Sequence, residues 1–446
     1  FFDIDYVPHE IGHQMGGNHT FSQSNEGTGV NYEPGSGTTI MGYAGITGAN
    51  DVQDHSDPYF HYGTINQVLN NLDTRTCWTS TEITNNPPVA DAGDDYTIPQ
   101  GTAFKLVGSA TDSDEEDVLT YTWEQVDSGT TTSSNFGPTK TSGAVWRSRP
   151  PSTNPTRYMP ARARVLSGEL TETNPQETDD NTSWETVSTV GRALNFALTV
   201  RDRSETNGVG QFPQSDFDLM TVTVDGNSGP FAVTSQTTNE TWNVGESQTV
   251  TWDVAGTDTG SVNTQTVNIR MSVDGGLTFP YVLATAVTND GSHDVNIPVF
   301  GGDTSTARIM VEGNNNIFYA VNSININIQE SEFVIIAVTS SVDVCSPDNA
   351  VFDLTYNTFL SFTDVTTFSV SGLPSGASGA FSPATATVDG TSFQLIVSGI
   401  GSIASGTYPL VVTGTSGSIV KMVNVTMNIF SSSINTPTLT SPANGA

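Results

Sequence analysis

The sequence predicts a multi-domain chain, a short α-helical piece at its start followed by three all-β sandwich domains. Three observations carry this. Five of the six histidines (His9, His13, His19, His55 and His61) fall in the first 61 residues, while His293 stands alone far downstream. A helical period is visible at Ile65, Val68, Leu69 and Leu72, enough for about three turns. Beyond Pro88 that period gives way to short alternating runs rich in Val, Thr and Ile, separated by Gly, Asn, Asp and Ser, the pattern of β-sandwich modules.

The first element is a helix around His9-Glu10-Ile11-Gly12-His13-Gln14-Met15-Gly16-Gly17-Asn18-His19, which fits H-E-x-x-H-x-x-G-x-x-H at every fixed position. On a helix, His9 and His13 are four residues apart and face the same way, so both imidazoles reach one ion. A third ligand requires chain that turns back. Gly16 can take the backbone conformation that ends a helix and redirects it toward His19. Three nitrogen ligands suit Zn2+ and leave a fourth position for a water molecule, made acidic enough to form a nucleophile near neutral pH. Glu10 is placed to take its proton. The plain alternative is a solvated helix with incidental histidines.

The next element is a tight turn, Thr38-Thr39-Ile40-Met41-Gly42-Tyr43-Ala44-Gly45. A lone Met in a turn is more often ordinary packing, but its pairing with the zinc motif reverses that weighting. The two together resemble the metzincin clan of metallopeptidases, whose zinc site rests on a methionine turn. The resemblance makes Met41 that residue, a soft side chain suited to packing beneath imidazoles. Asp5 through Phe21, the run from Tyr32 to Gly37 and the turn itself most resemble bacterial secreted reprolysin-like (adamalysin-related) peptidases. Two departures stand out. Animal reprolysins carry Asp where this chain has Thr20, and their turn lacks a tyrosine at the place of Tyr43. Tyr43 is similar to the serralysin and astacin arrangement, which implies a hydroxyl that ligates zinc or hydrogen-bonds the tetrahedral intermediate. His19-Thr20-Phe21 is also similar to pappalysin-type enzymes.

In metzincins a large subdomain precedes the zinc helix, whereas eight residues precede His9 here. The resemblance therefore implies the C-terminal part of a catalytic domain, and little or no proteolysis is expected from the chain as it stands. Phe1 to Pro8 are expected to form the first turns of the zinc helix, with Asp3 and Asp5 at its positive end. His61 either lines the cleft or caps the second helix, and the absence of ligand spacing around it favours the cap. Ca2+ is a second candidate cation. Asp51, Asp54 and Asp57, or the loop Asp112, Asp114, Glu115, Glu116 and Asp117, offer carboxylates for it, although acidic loops are more often simply solvated.

The 446 residues carry 47 acidic and 14 basic side chains, a formal charge of −33. That balance argues against nucleic acid and anionic membranes as partners and suits a soluble extracellular protein, and the resemblance implies a bacterial one, secreted or at the cell surface. No run of eighteen apolar residues proposes a membrane span. Cys77 and Cys345 fall in different expected domains, which argues against a disulfide between them.

The expected organisation is 1–78 catalytic part, 79–88 linker, 89–226 sandwich with insertion, 229–329 second sandwich, 332–430 third sandwich, and 431–446 as linker and start of a further module. The first sandwich resembles PKD-like and cadherin-like modules, with Leu119, Tyr121 and Trp123 on one strand face. Its insertion holds the basic cluster Arg147, Arg149, Arg157, Arg162 and Arg164, read as ion pairs against the sandwich itself rather than as a docking segment. The third resembles immunoglobulin-like modules and the tail a fibronectin-III-like one. The fold class is thus a partial α+β metzincin C-terminal subdomain, two helices and a methionine turn, followed by three all-β sandwiches of PKD, cadherin and immunoglobulin type. Two functions are expected to compete. One is a secreted zinc endopeptidase acting on proteins or peptides, its β-modules targeting polysaccharide or cell-surface ligands. The other is an adhesive or structural β-module protein with a remnant metal site.

Overall fold

A computed structural model describes residues 2–77, 79, 82–115, 117–178, 181–203 and 213–430. The expected module at 431–446 and Glu116 lie outside them. The expected fold class holds: helices at the start, then β-sheet. After a π-helical turn at Phe2–Tyr6, helix α1 spans Val7–Gln14, with Pro8 at its opening where a missing N–H does no harm. Helix α2 spans Tyr62–Asp73. Its buried part is Tyr62, Gly63 and Thr64, while Leu69 and Leu72 of the predicted stripe are exposed, as are Val7 and Ile11 of α1.

By contacts the chain divides into two compact units. One comprises Phe1–Thr238, Val250–His293 and Thr306–Asn325; the other comprises Asn239–Thr249, Asp294–Ser305 and the described residues from Ile326 onward.

In the first unit, one sheet joins Tyr96–Pro99, Ser215–Asp225, Arg192–Arg203 and Val118–Gln125 in that order. The facing sheet pairs Ala103–Val107 with Thr156–Met159. It continues beyond the expected boundary near 229, because Phe318 and Tyr319 pair with Phe104 and Ala103. The outer half of strand Val118–Gln125 alternates weakly, and its last four residues are buried whichever face they lie on. The cause is the start of α2, which covers the second face: Tyr62 N donates to Glu124 Oε2 (2.8 Å) and Arg201 Nη2 to Phe60 O (2.8 Å).

The insertion adds a short helix, α3, at Arg162–Ser167, which the sequence pattern did not suggest. Three of the five arginines of the insertion's cluster pair with carboxylates. Arg149 and Arg157 both reach Glu185 Oε1 (2.8 and 3.0 Å), and Arg164 lies 3.3 Å from Glu172.

In the second unit, one sheet orders Phe333–Ala337, Ala350–Thr358, Thr391–Ser398 and Ser378–Ser382. The other orders Ser341–Cys345, Ile419–Phe430, Gly406–Ser416, Thr366–Ser371 and Thr385–Ala386. Phe333, Phe352, Tyr356, Phe393, Leu410 and Met427 fill the space between them, with Phe368 stacked on Phe393 at 3.9 Å. Cys77 and Cys345 are free thiols.

Candidate metal centre

The spacing on α1 places His9 and His13 with ring centroids 4.9 Å apart. The helix ends at Met15, and Gly16 turns the chain at φ 101°, a conformation side chains rarely adopt. A side chain there would also strike Asn71, whose Nδ2 caps α1 by donating to Met15 O (2.7 Å). Gln67 Oε1 accepts from Asn18 N (2.8 Å), so α2 fixes the loop that delivers His19. The His19 ring lies 4.6 Å from His13 and 5.2 Å from His9.

Each imidazole is held by its Nδ1. His9 Nδ1 contacts Ile40 O (2.7 Å), His13 Nδ1 contacts Gly17 O (2.9 Å), and His19 Nδ1 contacts Glu26 Oε2 (2.9 Å). Carbonyl and carboxylate oxygens only accept, so each Nδ1 carries hydrogen, and in the neutral imidazole Nε2 is then the atom with a lone pair to offer a ligand. The Nε2 atoms of His13 and His19 are 3.0 Å apart. That distance suits one proton, or one cation, held between the two nitrogens. One ligating atom from each histidine falls within 4.8 Å of the others, a donor set that fits a divalent metal favouring imidazole. Burial outweighs the Ile40 hydrogen bond and holds His9 below its ordinary proton affinity.

Met41 is fully buried, and its sulfur lies so close to Gly12 that a methyl group there would collide with it. The turn around it is organised by a carboxylate the motifs did not reveal. Glu33 is wholly buried and accepts from Thr20 Oγ1 and Thr39 Oγ1 (both 2.5 Å), Thr38 N (2.9 Å) and Thr39 N (3.1 Å). Thr20, which stands where animal reprolysins carry Asp, thus reaches a carboxylate supplied from elsewhere. The first sandwich forms the floor beneath. Gly35 N donates to Thr131 O (3.0 Å), Thr131 N to Ser22 O (2.8 Å) and Thr38 Oγ1 to Ser148 O (3.1 Å). Arg147, itself buried, donates to Gln53.

Above the histidines opens a cleft of about 390 Å3 lined by His9, Glu10, Tyr43, Asp5 and His55 among others. Glu10 is exposed to it. The Tyr43 ring lies 4.6 Å from His19 and 5.5 Å from His9. Burial, then the charges of Glu26 and Glu10, push its phenol above the ordinary value, so it remains a donor. Asp5 lies in the π-helical turn that leads into α1, and its carboxylate also holds the cleft wall, accepting from Ser56 N (2.8 Å) and contacting His55 Nδ1 (3.0 Å). His61 caps α2, with Nδ1 accepting from Gly63 N (3.0 Å).

Among the described residues, only one other acidic group gathers closely enough to share a cation: Asp112, Asp114 and Asp117. Asp51 is used locally, accepting from Thr47 N and Oγ1 (2.9 and 2.6 Å).

Residues 1–72 match the family model described as metallo-peptidase family M12B, reprolysin-like. The N-terminal region is M12B metallopeptidase-like. No curated protein matches the chain. Similar solved structures include domains 4 and 5 of the S-layer protein SbsC, at 15% identity over 40% of this chain and 82% of that one, with a TM-score of 0.17. A D1–D4 ectodomain fragment of ICAM-5 matches at 10% identity over 78% of each chain, with a TM-score of 0.16. No helix among the described residues is long and apolar enough to cross a membrane.

Proposed function

We propose that this chain carries the metal-bearing part of a secreted bacterial zinc endopeptidase. The observation that supports it most is the set of three imidazoles, each with Nδ1 committed to an oxygen and Nε2 left to ligate at a common point. His9, His13 and His19 would hold zinc, which when bound supplies an acidified water as nucleophile for the peptide carbonyl. Glu10, facing the cleft, would serve as the general base and then the acid toward the leaving amine. Tyr43, kept as a phenol, donates a hydrogen bond to the oxygen that gains charge during attack. Met41 and Glu33 hold the turn that fixes His9 through Ile40 O. The β-modules would serve targeting or adhesion, toward polysaccharide or cell-surface ligands.

The test has two parts. Zinc added to this chain should bind at one ion per molecule by elemental analysis, and His13→Ala should abolish that. In any peptidase-active protein that carries this chain, Glu10→Ala should keep zinc yet lower peptide hydrolysis by about 10^2 to 10^4. Full activity in Glu10→Ala would sink the mechanism. Absence of zinc from the purified protein would favour the adhesive alternative.

A further inference from the structure

The cleft above the histidines is electrostatically one-sided. Asp5, Glu10 and Asp54 line it, while no Lys or Arg does. The three carboxylates are not equally free. Asp5 accepts from Ser56 N (2.8 Å) and lies 3.0 Å from His55 Nδ1. Glu10 is assigned to the reaction itself. Asp54 is exposed, and no hydrogen bond or ion pair among the described residues occupies its carboxylate.

Asp54 is nonetheless held in place by its backbone. Gly45, at φ 78°, runs so close to the Asp54 carbonyl that any side chain there would collide with it. On the other side, buried Gln53 donates from Nε2 to His55 O (2.6 Å) and accepts from Arg147. The segment carrying Asp54 is thus fixed against the end of the methionine turn. Ile46 and Tyr6 line the same cleft and remain 64% and 51% exposed.

The cleft therefore offers one uncommitted carboxylate and two apolar surfaces within about 390 Å3. An apolar substrate side chain would use the surfaces and leave the carboxylate idle, and an acidic one would be repelled. Arginine and lysine match both, with a hydrocarbon stem to pack on Ile46 and a cation for Asp54, and the Tyr6 ring adds attraction for that cation. We infer that the cleft selects peptides carrying an arginine or lysine beside the bond to be cut, with Asp54 as the residue that sets the preference. This rests on the peptidase reading given above and names the substrate class of the same site.

Titration calorimetry on the intact chain, zinc-loaded and metal-free, tests it at low ionic strength with acetyl-Ala-Ala-X-Ala-amide peptides, X being arginine, lysine, citrulline, leucine or glutamate. Blocked ends leave the side chain as the only charge. The arginine and lysine peptides should bind at least about threefold more tightly than the citrulline peptide, the neutral counterpart of arginine, and added salt should shrink that margin. Asp54→Asn should bring arginine and citrulline within about twofold of each other, and Asp54→Lys should make arginine the weaker of the two. Both variants should keep the parent melting temperature and zinc content. The net charge of −33 attracts any cation, but each variant changes it only slightly, so a lost preference belongs to Asp54. Equal binding of the arginine and citrulline peptides, tighter binding of the leucine peptide, no binding of the arginine peptide, or a preference unchanged in both variants overturns the subsite. Elemental analysis of the same samples separates the two failures. Zinc bound without an arginine preference rejects the subsite alone, and an arginine preference without zinc rejects the metal reading alone.

Discussion

At the scale of residues, the far nitrogens of the histidines decide what the near ones can do. Glu26 is the one side-chain partner among the three Nδ1 contacts, the carboxylate behind a ligand that orients the ring and raises its basicity. Glu26→Ala should weaken zinc binding about 10- to 100-fold in a chelator competition, with Glu26→Asp recovering part of the loss. His9 sets a pH limit. Its folded proton affinity lies below the ordinary 6.5, so as pH falls through that value the unfolded chain takes the proton first. The metal-free protein should lose stability below about pH 6.5, and His9→Gln should flatten that slope in urea midpoints measured from about pH 8 to about pH 5. The gathering of His9, His13 and His19, with Glu10 and Tyr43 lining the cleft beside them and Met41 buried in the turn, was legible because helix geometry and a tight turn fix their spacing. Glu26 and Glu33 were not, because the loops that bring them to His19 and to the methionine turn have no period to read.

At the scale of elements, the insertion behaves as a buried electrostatic clasp. Burial alone would raise the Glu185 carboxyl, but Arg149 and Arg157 overcome it and hold the group below its ordinary 4.5. Its contribution is therefore present above about pH 4.5 and is lost as pH falls further. Glu185→Gln leaves two arginines without their counter-charge and should cost about 3–5 kcal/mol in denaturant unfolding. Ion pairing was legible for Arg149, Arg157 and Arg164 because arginines in so acidic a chain have nearby carboxylates to find, whereas the amide partner of Arg147 and the Tyr158 ring under Arg162 were not. Helix α3 was not, since six residues are too few for a period to show. The predicted alternation in Val118–Gln125 fails at its end for a different cause. Alternation assumes one wet face, and α2 covers that face.

At the scale of the whole molecule, the metal-bearing piece and the first sandwich form one compact unit rather than two beads on a linker. A protein ending at residue 77 loses the acceptors at Thr131, Ser148 and Glu124, and it should show no cooperative thermal transition. In the intact chain, amides of residues 20–62 and 122–148 should exchange with a shared opening free energy, readable by hydrogen-exchange mass spectrometry. Separate, unequal protection would contradict the single unit. Strand composition made the β-rich architecture legible. The join between regions was not, because nothing in the composition of Phe318–Val321 says which strand it will pair with.

The floor beneath the methionine turn is built mainly from backbone carbonyls and amides of the sandwich, at Gly129, Thr131 and Ser148. Peptide groups are common to every residue, so substitutions along this stretch leave those bonds available as long as the path of the loop is unchanged. Tolerance to point mutation and intolerance to insertion or deletion should coexist there. Support of this kind lets sequence drift while the geometry handed to the histidines stays fixed.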